Sequence, residues 1–198
     1  MVGGLEEAEI LKQSEGKAEL GREVEVKIKA SLAQKGVLVS SSEDIEGLSS
    51  RGYGMSENGN LVLAFYEALF LQGKNILQVE DEKTGKEVSF QDLLKRFQMI
   101  EKDAWVKYLI YRDLRSRGYV AREGFGLGID FRVYERGEYG KETANYLIFG
   151  IQEGQPVSME ELARALRYVQ SLKKKLVLAV INRRGEVVYY SLSQLTLK

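Results

Sequence analysis

The first third of the chain carries two kinds of hydrophobic pattern. In residues 21–32, GREVEVKIKASL, valine and isoleucine alternate with charged residues, and such a period of two is typical of a strand with one buried face. Residues 37–39 in KGVLVSS predict a second short strand, with Gly36 in the turn between the two. Residues 40–54 are rich in turn formers and predict a loop or a short helix. The polar residues 1–20 predict a frayed helix or an N-terminal extension.

A continuous apolar segment follows at residues 61–73, LVLAFYEALFLQG. Its apolar residues would lie almost all around a helix, so the segment predicts a buried helix that ends at Gly73. Residues 75–80 predict a strand, and the DEKTGKE sequence after it predicts a turn. Ser89, three residues before Asp92, can cap the helix that follows.

The second half of the chain alternates helices with strands. Apolar spacing predicts a long amphipathic helix over residues 103–117. A later helix is predicted to begin at Ser158, which forms a capping-box pair with Glu161, and to run to Lys175. The NRRG sequence near the C-terminus is a tight-hairpin signal between two strands. The predicted strands are residues 119–124, 128–135, 146–151, 175–181 and 186–192.

These elements predict an α/β fold of the α+β type with two domains. A small mixed N-terminal domain is expected over residues 21–100, after an extension of residues 1–20. A C-terminal domain with a mixed central sheet flanked by helices is expected over residues 101–198. Strands interleaved with helices in both parts favour this class over an all-helical or all-strand one.

Composition narrows the chemistry open to this chain. Neither histidine nor cysteine occurs among the 198 residues, so disulfides, thiolate nucleophiles and the usual zinc ligands are excluded. We expect neither a metal nor a cofactor. Lys and Arg together number 29, as do Asp and Glu, so the chain lacks the overall basic excess typical of proteins that bind RNA alone. No signal peptide or membrane-spanning segment is evident, which predicts a cytoplasmic protein. Abundant Lys, Arg and Glu suggest a thermophile.

Three segments of the second half, taken in order, resemble a known family. They are KYLIYRDLRSRGYVAREGFGLGIDFRVYERG, then NYLIFG, then SLKKKLVLAVINRRGEVVYY. Together they resemble the catalytic domain of the archaeal tRNA-intron endonucleases, over about half the chain. The resemblance implies a nuclease-like C-terminal domain and a metal-free cleavage that leaves a 2′,3′-cyclic phosphate and a 5′-hydroxyl. It also implies three roles: a tyrosine as general base, a histidine as general acid and a lysine that stabilises charge on the phosphate.

Two of these three roles have a matching residue here. The family's tyrosine ends its DFRVY segment, which places it at Tyr134. Its lysine stands three residues after a serine, and Lys174 stands in that relation to Ser171. Its histidine stands three residues before the tyrosine of the next strand. Counting back from Tyr146 gives Thr143, whose hydroxyl cannot replace imidazole as a proton donor near neutral pH.

Two further positions bear on RNA binding. The family's Lys-Phe-Gly is replaced by glycine, leucine and glycine at residues 126–128, so a basic residue near the cleavage site is lost. Arg167, two turns before Lys174, matches an arginine that stacks on a bulged base in the family. Each residue also has a structural interpretation: Tyr134 could pack its ring on a strand, the lysines of residues 173–175 could complement a helix dipole, and Arg167 could be solvated or paired.

The resemblance and the missing histidine together predict a structural, non-catalytic subunit. The family includes heterotetramers in which structural chains hold catalytic sister chains at the spacing of the two bulges of a bulge-helix-bulge pre-tRNA. Its hairpin loop is usually acidic and enters a basic pocket. Here Asn182 has lost the negative charge, Arg183 is basic and Glu186 alone is acidic. The contact with the partner therefore rests on Glu186 alone, or the pairing of charges between the subunits is altered. The C-terminal strand is expected to pair with a sister strand, through Val188, Tyr189 and Tyr190.

Two alternatives remain open at this point. The chain could be an active metal-independent endonuclease that uses Tyr134 and Lys174 with a substitute acid. It could also be an unrelated α/β binding module whose motifs are coincidental. The glycine-rich segment EGFGLG does not open a helix after a strand in the required frame, so a dinucleotide or P-loop site is not expected.

Overall fold

The computed structural model describes residues 27–34 and 36–194, and within them the chain forms ten strands and five helices. The predicted mixed α/β fold, with an N-terminal part and a nuclease-like C-terminal part, is confirmed. None of the helices in these residues is long and apolar enough to span a bilayer. The elements are β1 (Ile28–Leu32), β2 (Val37–Val39), α1 (Ser42–Ser49), β3 (Met55–Glu57), β4 (Asn60–Leu63), α2 (Phe65–Gly73), β5 (Leu77–Asp81), α3 (Phe90–Ile100), α4 (Ala104–Ser116), β6 (Val120–Gly126), β7 (Ile129–Tyr134), β8 (Tyr146–Gln152), α5 (Met159–Ser171), β9 (Lys175–Ile181) and β10 (Val187–Leu192).

The first sheet has the strand order β3-β4-β2-β1-β5. Its pairs are antiparallel except for β1 with β5, which run parallel. Parallel neighbours need a long crossover connection, and here the crossover contains α2, whose residues are almost all buried. Helix α3 begins at Ser89, whose hydroxyl accepts a hydrogen bond from the Asp92 amide at 3.2 Å, as the sequence predicts.

The second sheet has the strand order β10-β9-β8-β7-β6. Only β8 and β9 run parallel, and α5 makes the crossover between them. The residues of β8 alternate between two apolar clusters: Ile148 belongs to the one that contains α4, whereas Leu147 and Phe149 belong to the one that contains α5. Both faces of the sheet are therefore covered at β8, one by each helix.

Aromatic packing joins the two halves of the molecule in one large core. The ring of Tyr66 in α2 lies 4.8 Å from that of Tyr111 in α4 and 5.2 Å from that of Phe131 in β7, measured between centroids. All three are at least 95% removed from solvent, so they supply much apolar area at low cost in side-chain freedom. This core fixes the N-terminal elements against the sheet that carries the candidate site.

A buried ion pair lies in the same junction. The Arg122 guanidinium donates to a carboxylate oxygen of Glu67 at 3.2 Å and to the carbonyls of Gly52 and Gly54 at 3.0 and 2.6 Å. The second Glu67 oxygen accepts from the amides of Gly54 and Ala64 at 3.1 and 2.9 Å. Burial raises the pKa of Glu67, and the Arg122 charge opposes that rise. The fully bonded pair can therefore be buried.

The structure corrects two predicted boundaries. The predicted helix over residues 61–73 is a helix only from Phe65, because the residues before it form β4, which pairs with both β2 and β3. The predicted end of this helix at Gly73 is confirmed, and Asn75 is the left-handed residue that follows, with φ of 63°. The helix predicted to reach Lys175 ends at Ser171. The strand predicted over residues 21–32 is seen as Ile28–Leu32, and its earlier residues lie outside the described part, as do residues 1–20.

Candidate functional site

The three residues that match the family's catalytic positions lie at one end of the inner strands β7, β8 and β9 of the second sheet. This end of the strands is called the site edge. Tyr134 ends β7, directly after Val133, which pairs with Tyr146 at the start of β8. Tyr146 pairs in turn with Lys175, the first residue of β9. Thr143 precedes β8 and Lys174 precedes β9. The register of three neighbouring strands thus brings residues that are 40 positions apart to a common edge.

Lys174 and Thr143 are in direct contact. The Lys174 ammonium donates a hydrogen bond to the Thr143 hydroxyl oxygen at 2.5 Å. Lys174 is half-buried, whereas Thr143 is exposed. Before Lys174, the chain leaves α5 through Lys173, whose φ of 56° is in the left-handed region, and the Lys174 amide donates to the Val169 carbonyl at 3.1 Å. The backbone turn therefore aims the ammonium at the residue that stands in the histidine position.

Tyr134 has an aromatic neighbour that the sequence gives no reason to expect. The rings of Tyr134 and Tyr139 meet edge to face with centroids 5.1 Å apart. A Cβ placed on Gly52 would lie 3.1 Å from the Tyr139 ring and 2.5 Å from Val120, so this loop of the N-terminal half packs closely against Tyr139. Tyr139 lies in the irregular segment between β7 and β8, where no periodic pattern could have marked it as part of the site.

Basic residues extend the site along α5 and β9. Arg167 is exposed on α5, four residues before that helix ends at Ser171, and Lys174 follows the helix end by three residues. The Lys175 ammonium lies 5.6 Å from the centre of the Tyr146 ring. Lys173 directly follows the C-cap residue Leu172 of α5, where a cation complements the helix dipole. The Lys174 ammonium is bonded to Thr143, and this contact places its charge beside the other candidate residues.

The hairpin loop between β9 and β10 is built around the Asn182 side chain. Its carbonyl oxygen accepts from the amides of Arg184 and Glu186 at 2.9 and 3.0 Å. Its amide nitrogen donates to the Glu186 carboxylate at 2.7 Å. Gly185 has a φ of 77°, which suits a tight hairpin. Asn182 is therefore the organiser of the turn, and Arg183 and Arg184 are exposed at its tip.

Strand β10 is the edge of its sheet and has two different faces. Val188 and Tyr190 are 46% and 54% exposed on one face. On the other, the Tyr189 hydroxyl donates to the Asp113 carboxylate of α4 at 2.8 Å, and burial raises the pKa of Tyr189. The residues predicted to contact a partner thus include two that are free on the surface and one that holds the strand to α4.

Sequence reasoning missed Asp130, in the DFRVY segment itself. One of its carboxylate oxygens accepts from the Gly150 amide at 2.7 Å. Burial is the main cause that raises the pKa of Asp130 to about 6. The side chain lines a polar cavity of about 90 Å³ at the start of α4, together with Lys107 and Gln152. A single aspartate in a strand pattern gave no signal of this environment.

The acidic side chains in the described part of the chain do not gather into a metal-binding set. Within residues 27–34 and 36–194 no cluster of three or more potential ligand side chains is present. The described residues of the site edge, Tyr134, Thr143, Lys174 and Arg167, offer hydroxyl groups and cations. Their chemistry suits contact with phosphate and with bases.

Comparisons with known proteins match both halves of the chain. The profile described as "tRNA intron endonuclease, N-terminal domain" matches residues 28–94, and "tRNA intron endonuclease, catalytic C-terminal domain" matches residues 104–189. A Methanococcus vannielii protein named "tRNA-splicing endonuclease" is 34% identical over 86% of this chain and 96% of its own length. A Pyrococcus furiosus protein of that name is 35% identical over 71% of this chain and 80% of its own. In Methanococcoides burtonii the similar protein is 31% identical, and the match covers 86% of this chain but only 48% of that longer protein.

Proposed function

The chain belongs to the tRNA intron endonuclease family, and we propose that it is the structural, non-catalytic subunit of a tRNA-splicing endonuclease. In this proposal it holds catalytic sister chains in a heterotetramer that removes introns from pre-tRNA at bulge-helix-bulge sites. The observation that carries it is the contact between Lys174 and Thr143. A hydroxyl occupies the histidine position, and it is already bonded to the lysine.

The proposal follows from what this edge can and cannot do to a phosphodiester. Tyr134 and Lys174 keep the groups that would accept the 2′-hydroxyl proton and stabilise phosphate charge. No group matches the acid that would protonate the leaving 5′-oxygen, since the chain contains no histidine. Loss of a general acid lowers a rate by about 10²- to 10⁴-fold. The Thr143 hydroxyl cannot make up that loss near neutral pH, but Lys174 and Arg167 can still contact RNA.

Strand β10 supports the proposed pairing with a sister chain. Its outer edge carries no paired strand among the described residues, so its backbone groups are free to bond to another chain. Val188 and Tyr190 offer exposed apolar area beside that edge. Tyr189 is bonded to α4 and keeps the strand in place. An edge of this kind joins two sheets into one continuous sheet across a subunit boundary.

Restoring the missing acid tests the proposal directly. The purified chain should not cleave a bulge-helix-bulge RNA, and the sister chain should do so only when both are mixed. Thr143→His should give the mixture a second pair of active sites, and should raise cleavage by the chain itself by about 10²- to 10⁴-fold over the unmodified chain. The added activity should disappear in Thr143→His/Lys174→Ala, because the Lys174 ammonium no longer stabilises the charge that develops on the phosphate.

Thr143→Gln is the matched control, since it fills the same position with a polar side chain that has no useful pKa. It should remain inactive. Mass measurement of the mixed chains should give a tetramer with two copies of each. Efficient cleavage by the unmodified chain alone, lost on Lys174→Ala, would instead establish the active endonuclease, and a chain that never associates with its sister would refute the subunit role.

A further inference from the structure

Three arginines meet where the C-terminal ends of α1 and α4 come together. Arg51 follows α1, Arg115 lies in the last turn of α4, and Arg136 follows β7 by two residues. The guanidinium carbons of Arg115 and Arg51 lie 3.8 and 6.0 Å from the centre of one ring, that of Tyr53. The Arg136 guanidinium donates to the carbonyl of Arg117, the C-cap residue of α4, at 2.8 Å. Arg51, Arg115 and Arg136 are called the arginine cluster.

The positive charge of the arginine cluster is only partly balanced. None of its members forms an ion pair within residues 27–34 and 36–194. Their bonds go to backbone carbonyls instead, from Arg51 to Gly47 at 2.8 Å and from Arg115 to Arg51 at 3.0 Å. A helix C-terminus carries about half a negative charge, so the two helix ends balance about one of three positive charges and leave about two.

The neighbouring side chains do not remove this surplus. The Asp113 carboxylate is paired with Arg117 at 2.7 Å, outside the cluster. Glu135 precedes Arg136 directly, but its charge raises the pKa of the Tyr146 hydroxyl on β8, so it acts toward the second sheet. The formal net charge of the whole chain is zero. The arginine cluster is therefore a local basic surface that the overall composition conceals.

The arginine cluster borders the site edge on the side of β6 and β7. Arg136 stands two residues after Tyr134. Gly52, which follows Arg51, packs against the Tyr139 ring, and that ring contacts Tyr134. The basic residues described above, on α5 and before β9, approach the site edge from the opposite side. Positive charge therefore flanks the candidate residues on both sides.

We propose that the arginine cluster binds phosphates of the RNA helix that flanks a bulge of the pre-tRNA. The identity of this RNA rests on the proposed function. A guanidinium has five N–H donors in a planar fork that suits phosphate. Within the described residues only one of these donors is bonded in Arg51 and one in Arg115. Because Tyr53 fixes the plane of Arg115, less side-chain freedom is lost on binding.

The surroundings of the arginine cluster favour RNA phosphate over an acidic protein surface. The core of a protein interface is usually apolar and aromatic, but the aromatic ring of the cluster, Tyr53, is only 8% exposed. The same burial leaves no open ring on which a base could stack. Contacts to phosphate need neither feature and carry no sequence information. The cluster should therefore add affinity and orientation, not sequence preference.

The salt dependence of RNA binding tests this contact. Fluorescence anisotropy would follow a labelled bulge-helix-bulge RNA with the pure full-length chain between 50 and 200 mM NaCl. Arg51→Gln/Arg136→Gln should weaken binding at 50 mM at least tenfold and lower the slope of log affinity against log salt by about 1.5. A fully paired RNA of the same length should show the same loss. Arg51→Lys/Arg136→Lys should retain most of the slope, because lysine binds phosphate as a point charge.

Lys83→Gln/Lys86→Gln is the matched control, since it removes two positive charges from an exposed turn after β5. It should leave both affinity and slope unchanged. If the arginines only hold the helix ends, the Lys and Gln variants should both lower the midpoint of urea unfolding and leave the salt slope unchanged, which overturns the proposal.

The proposal is also overturned if the unmodified chain does not bind RNA at 50 mM salt, or if Arg51→Gln/Arg136→Gln loses its sister chain while its RNA affinity persists. The latter result would identify an acidic protein surface as the ligand. Cleavage by the unmodified chain alone would refute the structural role and leave these affinities as expected. Equal slopes for all variants would refute the RNA contact and leave the Thr143→His prediction intact.

Discussion

The buried Asp130 carboxyl should make stability depend on pH in a way that one amide substitution removes. Burial raises the pKa of Asp130 to about 6, from an ordinary value of 3.8. The folded protein therefore keeps a proton on Asp130 at pH values where the unfolded chain has lost it. Its contribution to stability is fully present below about pH 3.8 and is lost as the pH rises through about 6.

The size of the effect follows from the shift. About two pKa units correspond to at most about 3 kcal/mol of unfolding free energy between pH 4 and pH 8. Asp130→Asn keeps an oxygen that can accept from the Gly150 amide and cannot ionise. We therefore expect the unfolding free energy of the variant, relative to that of the unmodified chain, to rise by about 1–3 kcal/mol between pH 4 and pH 8.

Urea unfolding followed by fluorescence of the single tryptophan, at half-unit steps from pH 4 to pH 8, measures this difference. Asp92→Asn is the control of opposite sign. Hydrogen bonding from Ser89 lowers the pKa of Asp92, so its stabilisation is present above its unfolded pKa and is lost only as the pH falls. Parallel pH profiles for the unmodified chain and Asp130→Asn would refute the reasoning.

Two further substitutions test the junction between the halves. Arg122→Met leaves the Glu67 carboxylate buried without its partner and should lower the free energy of unfolding in urea by about 3–5 kcal/mol. Most of that loss should be recovered in Arg122→Met/Glu67→Gln. An unchanged unfolding midpoint would contradict the role of the pair. Gly52→Ala should cost about 1–3 kcal/mol, because φ is 74° and the new Cβ would lie 2.5 Å from Val120. Gly59→Ala has a similar φ but open space around it, so equal losses in the two variants would show that the close approach is immaterial.

The sequence predicts the elements whose local pattern and tertiary role agree. The amphipathic period over residues 103–117 and the Ser89 cap both correspond to helices of the structure, within one or two residues. The apolar run at residues 61–73 fails as a single helix because periodicity cannot separate a buried strand from a buried helix. Its first residues gain pairing partners on both sides: β3, the neighbouring strand of a hairpin, and β2, which lies much earlier in the chain.

The candidate site was predictable only where a motif marked it. Ordered motifs identified Tyr134, Thr143 and Lys174, but the bond between the last two depends on strand register. Sequence alone left open whether the hairpin contact rests on Glu186. In the structure the Glu186 carboxylate accepts a hydrogen bond from the Asn182 side chain. This bond depends on the geometry of the turn, which the sequence does not specify. Tyr139 had no pattern at all, because irregular segments carry no periodicity.

The aromatic core shared by both halves constrains how this protein can be dissected. Tyr66 is contributed by the first half, whereas Tyr111 and Phe131 come from the second. A fragment cut near residue 100 would expose one side of this cluster to water, together with an unpaired Glu67 or Arg122. Excised halves should therefore be insoluble or poorly folded, and gene fusions or tags that probe assembly should be attached outside the intact body, never inserted between its two sheets.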